Sequence, residues 1–158
     1  MAFFRGLQDS TFTEWFLGSA SIWTYPTVLT LHTIGMAILV GASFVVNLRV
    51  LQVAGEIPLQ RLAPVYRFIW AGFVINLFSG VVLFVTQAAD RVQDPVFYVK
   101  LGSIALALWF GVLVKRASID AADAPQVTPP RSRWLAAAGR GLWTIAIVAG
   151  RLMAYLHP

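Results

Sequence analysis

The sequence predicts an all-α fold, an integral membrane four-helix bundle with a short N-terminal interfacial helix, and three observations carry that prediction. Hydrophobic residues make up 58% of the 158 positions and charged residues only 12%, with a mean hydropathy of +0.72, far from the usage of soluble globular chains. Four apolar stretches, Ile22–Val46, Phe68–Val85, Pro95–Val114 and Gly141–Leu156, approach the roughly 20 helical residues that cross a hydrocarbon layer of about 30 Å. Their Leu, Ala and Ile runs lack period-two alternation, which argues against barrel strands, and in lipid the backbone is then satisfied only as helix. A single domain over 1–158 is expected, with an interfacial segment 1–21 and spans near 22–49, 66–89, 95–116 and 134–157.

In the interfacial segment, Thr11 and Glu14 fit a capping box, and Phe12, Trp15 and Phe16 gather on one helical face. Gly18–Ser21 interrupts it, and Pro26 opens the first span near its N1 position with Trp23 and Tyr25 as an aromatic belt. No basic region runs directly into a long apolar stretch with a small-residue cleavage site, so no removable signal peptide is expected. The linker Gln52–Pro64 is short enough to make the first two spans antiparallel neighbours. Asp90–Pro95 turns the chain tightly, and Pro95 restarts a helix. Residues 117–133, with Pro125, Pro129, Pro130, Asp120 and Asp123, read as a flexible connection. Ridges of small residues four apart, Gly72–Asn76–Gly80, Ser103–Ala107–Gly111 and Ala146–Gly150–Ala154, provide faces for close helix packing.

The net charge of +5 reads as a topology signal rather than a nucleic-acid footprint. Arg49, Arg61, Arg67, Lys115, Arg116, Arg131, Arg133 and Arg140 border the first and third connections, against Arg5, Arg91, Lys100 and Arg151 on the opposite side. The positive-inside rule then puts those connections in the cytoplasm, giving a multi-pass protein of the bacterial inner membrane with both termini periplasmic. The absence of cysteine excludes disulfides, thiolate metal sites and iron–sulfur clusters.

His32, Lys100 and Arg151 are the only strongly basic groups inside the four stretches, which contain no Asp or Glu. Intramembrane ionisable groups are expensive and mark functional sites by default. Counting about 1.5 Å per residue from Pro26, Pro95 and His157 places all three roughly 8–9 Å deep, in one layer with Tyr25, Met153 and Tyr155. Snorkelling of Lys100 and Arg151, or neutralisation by Asp90, Asp94 or Glu14, is the plainer reading. A cationic layer with an imidazole suits haem b: His32 for the iron, His157 or Met153 as a second axial ligand, Lys100 and Arg151 for the propionates, and Gly35 leaving room for a flat ring. His157 is the weaker metal ligand, being about 9 Å nearer the interface. A quinone is the alternative, with its carbonyls hydrogen-bonded by the same side chains and protons exchanged through His32; copper ranks third, since no closed soft site can be assembled. The expected activity is electron transfer to or from a redox partner protein or membrane complex. The rival from another class is a non-catalytic accessory or scaffold subunit whose basic layer binds anionic lipid or a partner.

The segments Leu31-His32-Thr33-Ile34-Gly35, Asn47-Leu48-Arg49, Ala71-Gly72-Phe73, Ser79-Gly80, Asp94-Pro95-Val96-Phe97 with Lys100-Leu101, and Gly150-Arg151-Leu152-Met153-Ala154-Tyr155 resemble a family of uncharacterised bacterial four-helix integral membrane proteins. That family is distantly similar to copper resistance protein D and to b-type cytochrome membrane subunits. The likeness covers residues 22–158 and implies the same His, Lys and Arg positions. Asn47 stands where the related pattern often has an acid, and no copper cluster accompanies the Phe97–Lys100–Leu101 stretch.

Overall fold

The computed structural model describes residues 2–18, 23–53, 55–120 and 128–156, and among them every regular element is helical. Two short helices, α1 (Ala2–Gln8) and α2 (Thr11–Gly18), precede α3 (Thr24–Val50), α4 (Val65–Val85), the single turn α5 (Ala88–Arg91), α6 (Pro95–Ser118) and α7 (Pro130–Leu156). Four of the described helices are long and apolar enough to cross a membrane, and the chain is a multi-pass α-helical bundle whose surroundings are lipid. Large exposed apolar side chains such as Phe78, Trp109 and Leu106 cover its flanks, as a solvent of hydrocarbon requires. Threonines on the same flanks turn inward to their own helices: Thr30 bonds Pro26 O at 2.7 Å and Thr144 bonds Arg140 O at 3.1 Å.

The bundle is built from two tight pairs, α3 with α4 and α6 with α7, joined mainly where α3 meets α7. In the first pair the backbones touch. A Cβ on Gly72 would lie 2.6 Å from Leu39 N, and one on Gly35 would lie 2.8 Å from Asn76 N, so glycine at both positions is what permits this approach. Gly35 was expected to leave room beside His32 for a flat ring; its free space is instead filled by the α4 backbone. On α6, Ser103 and Ala107 are buried against α7, whereas a Cβ on Gly111 would meet nothing within 4 Å. Gly111 serves through its carbonyl, which accepts from the Tyr66 hydroxyl at 3.0 Å and ties α4 to α6.

The N-terminal segment forms two helices rather than one, broken at Asp9–Ser10. The cap of α2 is Ser10, whose Oγ accepts from Thr13 N at 3.4 Å, one residue before the expected Thr11; the break at residues 19–21 lies outside the described residues. Of α1, Gln8 reaches across to accept from Ala89 N with Oε1 at 3.0 Å, docking the segment on α5. The second span stops at Val85 instead of running to 89. Thr86 turns its hydroxyl back to Leu83 O at 2.8 Å, and Gln87 leaves helical geometry with φ −136° and ψ 29°. The fourth span begins four residues early, because Pro130 is pre-organised for a first helical position.

At the end of the bundle away from the termini, α3 closes in a Schellman pattern. Gln52 N donates to Arg49 O and Val53 N to Leu48 O, with Gln52 at φ 67° where glycine is usual. Gln52 has a second task that glycine lacks: its Nε2 donates to Thr128 Oγ1 at 2.8 Å, pinning the chain just before α7. Nearby, Ser118 Oγ donates to Ser132 Oγ at 2.8 Å, with both residues buried. Removing one partner orphans the other, so Ser118→Ala is expected to cost about 1–2 kcal/mol. The double change Ser118→Ala/Ser132→Ala should cost less than the two single losses added, which equilibrium unfolding of the four proteins in detergent checks.

Candidate functional site

At the end of the bundle that carries both termini, the two helix pairs separate around a cleft of about 570 Å³, inside the range of roughly 300–1,000 Å³ typical of small-molecule sites. Its lining comes from every long helix and includes His32 and Tyr25 on α3, Lys100 on α6, and Arg151 and Met153 on α7. Residues far apart in sequence, placed in one layer by counting helical rise, thus share one cavity. Tyr155 does not join them: it is 73% exposed and does not line the cleft. His157 lies outside the described residues. Arg151 lines the cleft yet is itself exposed, so it stands at the rim.

His32 is fixed by α4. Ser79 Oγ donates to Ile75 O at 2.7 Å, its shortest contact, an arrangement in which the oxygen accepts from His32 Nδ1, 3.1 Å away. The neutral imidazole therefore carries its proton on Nδ1 and a lone pair on Nε2. Asn76 Nδ2 donates to His32 O at 2.9 Å, which fixes the amide orientation, and approaches Nε2 at 3.4 Å, a long contact. Gly80 makes the seat: a Cβ there would lie 3.1 Å from His32 Cε1. The ridge Gly72–Asn76–Gly80 thus does more than pack helices, since its last two members hold the imidazole.

Lys100 reaches the cleft past Gly150, where a Cβ would lie 3.6 Å from both Cε and Nζ. A third cation, Arg91, was not among the expected site residues. It sits on α5 and lines the cleft. Its Nε and Nη2 donate to Gln87 Oε1 at 3.0 and 2.6 Å, and Nη1 donates to Met153 O at 3.1 Å. Those bonds use three of the five guanidinium N–H groups. They also place a positive charge against a carbonyl in the last turn of α7, where the helix dipole is negative. Arg91 is readable from the sequence only through its position four residues after Gln87, the spacing of a side-chain pair on one helical turn.

The walls are apolar, with Phe84 of α4 stacked on Phe97 of α6 at a centroid distance of 5.4 Å and an interplanar angle of 14°. Among the described residues no carboxylate lines the cleft. Among the described residues the ion pair is Lys115–Asp120, at the far end of the bundle. Asp90 is exposed, and Asp94 caps α6 by accepting from Val96 N at 2.8 Å. The described residues contain no group of three or more His, Cys, Asp or Glu side chains able to enclose a metal ion. What the arrangement offers is one oriented imidazole, a thioether and three cations around an apolar slot. That set suits an anionic, flat, largely apolar ligand.

No protein-family model, curated protein or solved structure matches the chain.

Proposed function

We propose that the protein is a bacterial inner-membrane protein that holds a b-type haem in this cleft, near its periplasmic face, and serves electron transfer to or from a partner protein or membrane complex. The observation that carries the reading is the meeting, in one cleft, of an imidazole held by Ser79 with three cations and, among the described residues, no carboxylate. A haem supplies one-electron chemistry at its iron and presents two propionates. His32 is the iron ligand, held in one tautomer by Ser79 as metal-binding histidines are held by their neighbours. Met153, buried on α7 with 7% exposure, is one candidate for the second ligand, and His157 is the other. Lys100 and Arg91 meet the propionates from inside the cleft, Arg151 from its rim. Phe84 and Phe97 exclude water from the ring. The excess of basic residues at the first and third connections supports periplasmic termini.

One contact favours a second reading. Asn76 Nδ2 lies 3.4 Å from His32 Nε2 and must turn aside before that nitrogen binds iron, whereas a quinone leaves both ring nitrogens in their hydrogen bonds. Lys100 and Arg91 then donate to the quinone carbonyls.

The absorbance spectrum of protein purified from haem-replete cells, read with a pyridine haemochrome assay and an organic extract, separates these readings. A Soret band with stoichiometric haem b is the expected result. A colourless protein that yields quinone transfers the cleft to the second reading. A colourless protein with neither, which retains phospholipid or a stoichiometric partner, makes the chain an accessory or scaffold subunit.

A further inference from the structure

The exposed residues that line the cleft are not scattered around it. Tyr25, Leu29 and Thr33 on α3 and Ile147 and Arg151 on α7 are exposed, whereas the lining residues of α4, α5 and α6 are all at least half-buried. The opening therefore lies between α3 and α7. Those two helices meet at the far end of the bundle, where a Cβ on Gly139 would lie 3.7 Å from Asn47 Nδ2. There they share a small pocket of about 20 Å³, bordered by Ser43 and Val46 on one side and Leu135 and Trp143 on the other. Toward the termini they part.

The level of this gap decides what it faces. Leu29 and Thr33 are five and nine residues into α3 and Ile147 is nine residues from the end of α7, roughly 8–14 Å along each helix. That is below the interface and within the hydrocarbon. The lips are built for lipid: Leu29 is 44% and Ile147 38% exposed, and Thr33 satisfies its hydroxyl on Leu29 O at 2.9 Å. Arg151, on the same lip as Ile147, brings a long stem and a charge that can reach the headgroups.

We infer that the ligand enters and leaves this cleft sideways, from the terminal-side leaflet through the gap between α3 and α7, so that it is a membrane-dissolved anionic amphiphile rather than a water-borne solute. Arg151 meets its anionic group at the lip, Lys100 and Arg91 receive that group inside, and the apolar body passes between Leu29 and Ile147. This deepens the reading of the cleft as a ligand site and rests on it.

Two measurements in lipid nanodiscs test the route. The chain has no cysteine, so Leu83→Cys places a single nitroxide spin label on the α4 wall of the cleft. Its relaxation is expected to respond more to oxygen, which concentrates in the bilayer, than to a water-soluble nickel chelate. Narrowing the gap with Leu29→Trp/Ile147→Trp should lower the oxygen response. The same double substitution, without the label, should slow uptake of added haemin by about tenfold, within the span over which substitutions change association rates. A label that responds to nickel over oxygen, or haemin uptake at the original rate in the narrowed protein, overturns the sideways route. If the unsubstituted protein takes up no haemin, the haem reading falls, and the oxygen response alone decides whether the cleft opens to lipid.

Discussion

His32→Ala should abolish the Soret absorbance of the purified protein, and Ser79→Ala should weaken haem retention without abolishing it. The first change removes the imidazole and with it the nitrogen that can bind iron; nothing else on α3 within the cleft has a lone pair on nitrogen, its other lining residues being Tyr25, Leu29, Thr33 and Met36. The second change removes the acceptor that commits the proton to Nδ1. The ring then loses its orientation, and losses of about 10- to 100-fold in affinity are usual for such neighbours. Asn76 gives the third comparison. Its amide holds His32 O as well as approaching Nε2, so Asn76→Ala clears the nitrogen but loosens α3 against α4. If iron binds Nε2, Asn76→Ala retains a Soret band at lower stability. His32→Ala protein that elutes as a folded species and keeps the full band would end the proposed ligation.

Much of the site was legible because hydrocarbon makes charge conspicuous. His32 and Lys100 stand out in stretches without a carboxylate, and Pro26, Pro95 and His157 mark the span ends on one side, so depth followed from helical rise. Rise gives height and not direction, which is why Arg151 shares a level with His32 yet stands exposed at the rim. Arg91 was hidden for a different reason. The chain breaks at Thr86–Gln87 through a hydroxyl turned onto its own helix, with no proline or glycine to announce it, and only that break brings Arg91 over the cleft. Asn76 and Ser79 look like packing residues in sequence; that they hold His32 depends on how α3 and α4 meet, which no single-helix pattern encodes. The N-terminal break between α1 and α2 was equally silent, since Asp9–Ser10 resembles any polar pair in an interfacial helix.

How α3 and α4 meet depends on glycine at 35 and 72, and Gly72→Ala, with the shorter contact, should be among the most damaging single-carbon changes in the protein. The added Cβ would stand 2.6 Å from Leu39 N, 2.9 Å from Gly35 O and 3.0 Å from Leu39 Cα. All three are backbone atoms, so no side chain can rotate away and α3 itself must move. Overpacking of this kind costs about 1–3 kcal/mol, against a gain of up to about 1 kcal/mol from replacing glycine in a helix interior. The balance is destabilising, and because α3 carries His32 two turns from Leu39, haem retention should fall together with stability. Gly102 and Gly141 supply the opposite sign. They are also helical, but a Cβ at either meets nothing within 4 Å, so Gly102→Ala and Gly141→Ala keep the propensity gain with no clash to offset it. Thermal unfolding of the three variants in one detergent should rank Gly72→Ala well below the parent protein and the other two at or above it. A melting temperature for Gly72→Ala equal to that of Gly102→Ala would show that the α3–α4 contact yields without cost, and the fixed seat of His32 would fall with it.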